Sequence, residues 1–120
     1  MKASTKIKQF DTKTKKAILL RDRGCIFCQM RFHMECTDNF QISILDVMHF
    51  VNKSAGGLGV ESNGAIGCRY HHSLLDNGNK GIREEMLGLF KQHLQSQYVD
   101  WNEKDLYFNK YQLMEERKCL

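Results

Sequence analysis

The sequence predicts a small α+β domain stapled by zinc, and three observations carry that expectation. Cys25-x-x-Cys28 and Cys68-x-x-His71 form two half-sites with 39 residues between them. Residues 40–51, FQISILDVMHFV, are rich in β-branched and apolar side chains and short enough to be a strand. Residues 81–98 carry Ile82, Met86, Leu89, Phe90 and Leu94 at helical spacing, the mark of a helix packed by one face. A chain of 120 residues makes one domain, large enough for a modest core and small enough to gain from a metal staple.

Charge is unevenly placed. Residues 1–24 hold eight Lys or Arg against two Asp, while the whole chain carries only +4. A basic N-terminal arm suits sequence-independent phosphate contacts; the plain alternative is a solvated, partly disordered start. Residues 1–9 lack an apolar period and are expected to be mobile. The chain has neither a run of 18 apolar residues nor a secretory leader, so a soluble, cytoplasmic protein without a membrane partner is expected.

Asp11 or Thr12 can cap a helix over residues 12–22, with Ala17, Ile18, Leu19 and Leu20 as its apolar side and Gly24 as its stop. The chain then enters the first knuckle. Five cysteines is an odd count, and in a reducing compartment CxxC reads as metal binding before disulfide. A thioredoxin-like role would need a βαβ context that is missing here. Closing the site with Cys68 and His71 gives a tetrahedral Cys₃His zinc centre. His33 and Cys36 are rival ligands, but the Cys68/His71 version also orients the neighbouring His72. Cys36 and Cys119 are then left as ordinary thiols.

Residues 29–39 read as a loop. His49 lies within the expected strand, where a lone histidine is usually a core residue. Asn52 to Gly59 contains three glycines and Lys53, a loop able to let backbone approach a phosphate. Asn63-Gly64 is a turn pair before a second strand at 65–67, and residues 71–75 form a short helix that ends at Asp76-Asn77-Gly78. Were residues 69–77 helical, His72 and Asp76 would share a face and could grip one cation. His93 finds no partner at metal spacing and is expected at the surface. Trp101, Leu106, Tyr107, Phe108 and Tyr111 are expected to pack back on the last helix or form a short strand over 106–108, and residues 115–120 to fray.

Taken together, Cys25-x-x-Cys28, the His49 segment, Gly56-Gly57-Leu58-Gly59, Glu61-Ser62-Asn63 and Cys68-x-x-His71-His72 resemble the HNH endonucleases, the ββα-metal nucleases. The likeness spans about residues 21–78 and is greatest to the small stand-alone HNH proteins of bacteriophages and prophages. It implies a ββα-metal core with structural zinc knuckles over residues 10–80, joined to an N-terminal helix and followed by a C-terminal helix and tail over 81–120. It further implies that His49 is the general base, that Asn63 orients the loop or the base, and that His72 binds a divalent cation. That cation, Mg²⁺, Mn²⁺, Ni²⁺ or Zn²⁺, would share Asp76, and Asp46 on the same side of the strand as Met48. Met48 occupies the position where relatives often place an Asp or His ligand, and His71 stands where a second Cys is more usual. Lys53 and Arg69 are the expected DNA contacts. The implied substrate is double-stranded DNA, in the cytoplasm of a bacterial host, beside phage packaging proteins or in a mobile element. One site per chain nicks one strand; a double-strand cut needs a homodimer or two events. The rival readings are a non-cutting zinc-binding DNA module and a zinc-stapled protein adaptor.

Overall fold

Asp11 accepts a hydrogen bond from the Thr14 N–H at 2.7 Å and so starts the first long helix, α1, at Thr12–Asp22. The computed structural model describes residues 7–35, 39–78 and 81–108. After α1 come α2 (Ile26–Gln29), α3 (Asn39–Ser43), β1 (Leu45–His49), β2 (Gly64–Cys68), α4 (Arg69–Asn77) and α5 (Ile82–Gln97), with short 3₁₀ turns at Lys53–Ala55, Glu61–Asn63 and Glu103–Leu106. The architecture is α+β. β1 and β2 pair antiparallel in the register Leu45↔Cys68 to His49↔Gly64, and α4 follows β2 without a break.

The expected strand over 40–51 is therefore two elements. β2 offers only five partners, so residues 40–44 have no ladder to join. The Ile44 N–H donates to the Phe40 carbonyl at 3.2 Å and the Ser43 hydroxyl to the same oxygen at 2.8 Å, while the Ile44 carbonyl accepts from the Arg69 N–H at 2.8 Å just past β2. The 12–22 helix has the expected bounds but not the expected face. Ile18 is buried, whereas Leu19 and Leu20 face solvent. Its end lies at Arg23, which takes the left-handed conformation at φ 66°, one residue before Gly24.

The main core joins Phe27 and Met48 to Leu75 of α4 and to Met86, Phe90 and Leu94 of α5. The stripe expected on 81–98 is thus the packing face of α5. Met48 is fully buried, so the position before His49 supplies core volume. After α5 the chain folds back. Trp101 donates its indole N–H to the Ser62 carbonyl at 2.7 Å and packs edge-on against Phe50, and the buried Leu106 accepts at its carbonyl from the Leu58 N–H at 2.8 Å. Tyr107 makes one bridge to Gly57 rather than a strand.

The outer edge of β2 is sealed by a buried polar cluster. Asp22 accepts from the Ile66 N–H (2.9 Å), from Arg21 Nε (2.7 Å) and from His93 Nε2 (2.8 Å). Arg21 also donates to the Gly64 and Glu61 carbonyls and to the Tyr98 hydroxyl. His93, its side chain 15% exposed, is consequently not a surface histidine; its partner lies 71 residues away in sequence, beyond any local spacing. Burial opposes ionisation of Asp22, but the hydrogen bonds from His93, Arg21 and the Ile66 amide outweigh it and hold the carboxyl below its usual range. This stabilisation is present above the ordinary carboxyl pKa of 3.8 and is lost as pH falls through the lower folded value. Removing the carboxylate strands a half-buried guanidinium. Asp22→Ala is expected to lower unfolding free energy by about 3–5 kcal/mol in urea titrations of zinc-loaded protein.

Candidate metal centre and catalytic cleft

Two short elements bring the zinc half-sites together. Cys25 caps α2, its sulfur accepting from the Cys28 N–H at 3.4 Å, and Cys68 caps α4 in the same way for the His71 N–H at 3.4 Å. His71 Nδ1 then lies 3.5, 3.4 and 3.2 Å from the sulfurs of Cys25, Cys28 and Cys68, and the Cys28 and Cys68 sulfurs are 3.7 Å apart. Zinc at the usual Zn–S and Zn–N distances of about 2.3 and 2.1 Å, with tetrahedral angles, separates its ligands by roughly 3.5–3.8 Å. The donor set fits. His71 Nε2–H donates to the Phe32 carbonyl at 2.5 Å, leaving Nδ1 as the lone pair that faces the sulfurs. Burial and the neighbouring Cys25 and Cys68 sulfurs push the Cys28 thiol above its usual range.

His33, the rival ligand, instead faces Glu35 at 3.3 Å. Cys36 and Cys119 lie outside the described residues, as do the lysines of residues 1–6, Tyr111 and the tail over 115–120.

His49 and His72 line one cleft of about 630 Å³, together with Phe10, Lys15, Lys53 and Asp76. His49 stands at the end of β1 and is half-buried. Its Nε2 donates to the Lys8 carbonyl at 2.8 Å, which fixes the tautomer and leaves the Nδ1 lone pair as its basic atom. Burial lowers its pKa below 6.5, the Lys8 carbonyl opposes that shift, and the nearby Lys53 and His72 add to it. Neutral imidazole is therefore the dominant form at pH 7.

Residues 7–9, expected in a mobile arm, instead form a strap bonded to Gly59 and His49, and Gln9 lines the cleft. The Ile7 carbonyl accepts from the Gly59 N–H at 3.0 Å, and the Phe10 ring lies 4.1 Å from the His49 ring. The strap crosses Gly59 so closely that a Cβ there would overlap the Gln9 carbonyl. Gly59→Ala should displace the strap. We expect it to shift the His49 ring resonances in NMR spectra and to leave the cobalt spectrum of the Cys₃His site unchanged.

Asn63 is fully buried and acts on the loop, not on the imidazole. Its Oδ1 accepts from the Val51 N–H at 2.8 Å, and its Nδ2 donates to the Val51 and Leu58 carbonyls at 3.1 and 2.8 Å. The amide thereby closes the 51–58 loop that carries Lys53. Gly57 is required inside that loop because a Cβ would overlap the Val51 carbonyl.

His72 lies between two carboxylates. Nδ1 is 3.0 Å from Asp46 Oδ2, and Nε2 is 3.3 Å from Asp76 Oδ2, one helical turn on. Arg69 also grips Asp46, with Nε to Oδ2 at 2.9 Å and Nη2 to Oδ1 at 3.2 Å. The hydrogen bond from Arg69, helped by His72 and opposed by partial burial, holds the Asp46 carboxyl below its usual range. Two ligands at right angles on a hard cation, each about 2.1 Å away, lie roughly 3.0 Å apart, so His72 Nε2 and Asp76 fit as a pair. Asp46 faces the other ring nitrogen. Among the described residues, only Cys25, Cys28, Cys68 and His71 gather three or more ligand atoms into one sphere.

Protein-family models, curated proteins and solved structures offer no match to this chain. Its chemistry is therefore read from its own residues. Among those described, no helix is long and apolar enough to cross a membrane. The contributors missed by sequence reading are the Lys8 carbonyl and Phe10; a backbone acceptor leaves no signal in a sequence.

Proposed function

We propose that the protein is a metal-dependent nuclease that hydrolyses DNA phosphodiester bonds, of the HNH type its sequence resembles. The observation that carries this reading is that His49, with Nδ1 left basic, shares a cleft with the His72–Asp76 pair and with Lys15 and Lys53. A divalent cation held by His72 and Asp76 would neutralise charge on a non-bridging oxygen and on the leaving 3′ oxygen. His49 Nδ1 takes the proton from a water in line with the phosphorus, and the resulting imidazolium stays tied to the Lys8 carbonyl. Lys53 and Lys15 hold flanking phosphates without reading sequence. Asn63 keeps the Lys53 loop in place while substrate enters.

A second reading has a specific observation in its favour. With Met48 in the core and Asp46 held by Arg69, the described residues of the cleft leave the cation one pair, His72 and Asp76, beside His49. A scaffold with so few ligands could bind DNA without cutting it. End-labelled duplex incubated with zinc-loaded protein and Mg²⁺, Mn²⁺ or Ni²⁺ separates the two. Nuclease action predicts metal-dependent nicks ending in 3′-hydroxyl and 5′-phosphate. Salt-sensitive binding with intact strands under all three metals would leave only the binding module.

A further inference from the structure

Arg69 and His72 sit three residues apart on α4, and the Asp46 carboxylate of β1 docks between them. Each oxygen of Asp46 accepts from Arg69, and Oδ2 also accepts from His72. A carboxylate on Nδ1 takes a proton there, and in the neutral ring this places the lone pair on Nε2. That lone pair faces a second acceptor, Asp76 Oδ2, at 3.3 Å. A divalent cation between the two would satisfy both acceptors, as would a second proton on the ring, which makes an ion pair with each carboxylate. The side chains of His72 and Asp76 are 29% and 53% exposed, so solvent ions reach this point.

We propose that Asp46 and Arg69 are positioning residues of the cation site: Asp46 fixes His72 in the Nδ1–H tautomer, Arg69 fixes Asp46, and only His72 Nε2 and Asp76 ligate. This departs from the sequence expectation on two counts. Asp46 orients a ligand instead of being one, and the Arg69 guanidinium supports the site instead of serving DNA alone. The role of the cation in cleavage rests on the nuclease reading, whereas its place between His72 and Asp76 rests on the geometry. The arrangement follows the general pattern in which a carboxylate behind an imidazole sets its orientation and basicity.

Mn²⁺ binding to zinc-loaded protein tests this without any cleavage assay. Asp46→Ala is expected to weaken Mn²⁺ by about 10–100-fold, as measured by electron paramagnetic resonance of the free ion. Asp46→Asn keeps an acceptor for Nδ1–H and should recover part of that loss. The decisive readout is the number of waters on bound Mn²⁺, obtained from water-proton relaxation. It stays the same in Asp46→Asn if Asp46 is not a ligand, and rises by one in Asp76→Ala. Long-range ¹⁵N–¹H spectra should show His72 as the Nδ1–H tautomer in the wild type and as a mixture in Asp46→Ala. Arg69→Gln should weaken Mn²⁺ as Asp46 loses its anchor, although loss of a nearby positive charge alone would strengthen it.

An extra water in Asp46→Asn, tighter Mn²⁺ binding by Arg69→Gln, or a His72 tautomer indifferent to Asp46→Ala would each overturn the proposal. So would a wild-type protein that does not bind Mn²⁺. Mn²⁺ binding with all the expected responses but intact DNA would count against the nuclease and leave the positioning roles standing.

Discussion

Chelation of the metal from the Cys25, Cys28, Cys68 and His71 site is expected to unfold the chain cooperatively. The site ties α2 to the β2–α4 junction, and Cys25, Ile26, Phe27 and Cys68 are themselves part of the main core. α2 has four residues and cannot persist alone. Structural zinc contributes on the order of 10–16 kcal/mol in small zinc-dependent peptides, comparable to the whole stability of a typical domain. Far-UV circular dichroism and near-UV signal should therefore vanish together with excess chelator and return with zinc. Cys68→Ser should reproduce the loss at ordinary zinc concentrations. Cobalt substitution should give the intense thiolate charge-transfer bands and tetrahedral d–d bands of a three-sulfur, one-nitrogen site. A native fold and undiminished core resonances in the metal-free protein would show that the four residues serve some other purpose.

His49→Ala is expected to reduce cleavage by roughly 10²–10⁴-fold while the fold, the zinc and Mn²⁺ binding are kept. Among the described residues the imidazole hydrogen-bonds to Lys8 and contacts the Phe10 ring, so its removal disturbs the strap but not the main core. The pH dependence follows from burial first, with Lys53 and His72 adding to it and the Lys8 carbonyl opposing it. A base works when neutral, and a lowered pKa keeps it neutral to lower pH. Cleavage should thus stay level through neutrality and fall on an acid limb whose midpoint lies below the ordinary 6.5. Lys53→Gln removes one of the lowering charges and should move that limb toward higher pH. An acid limb above 6.5, or one untouched by the His49 substitution, would assign the titration to another group.

The parts of this molecule legible in the sequence are those fixed by short spacings. CxxC and CxxH each place two ligands around one helix start, and the His72–Asp76 spacing puts both on one helical face. The α5 stripe likewise announced its buried face. The split at residue 44 was hidden because β-branched composition shows that a strand is acceptable, whereas the length of its partner decides where it begins. Asp22–His93 and His49–Lys8 were illegible for a different reason. They join residues 71 and 41 apart, one of them through a carbonyl that every residue possesses. Arg69 illustrates a third limit, since a sequence does not show which carboxylate a basic residue grips, here Asp46.

Supercoiled-plasmid cleavage is the most direct test of the central claim. Zinc-loaded wild-type protein with Mg²⁺, Mn²⁺ or Ni²⁺ would be compared with an EDTA control and with His49→Ala carrying the same zinc. We expect conversion to nicked or linear plasmid only with wild-type protein and added metal. Conversion that persists in a clean His49→Ala preparation, or an intact plasmid under every metal, would contradict the account.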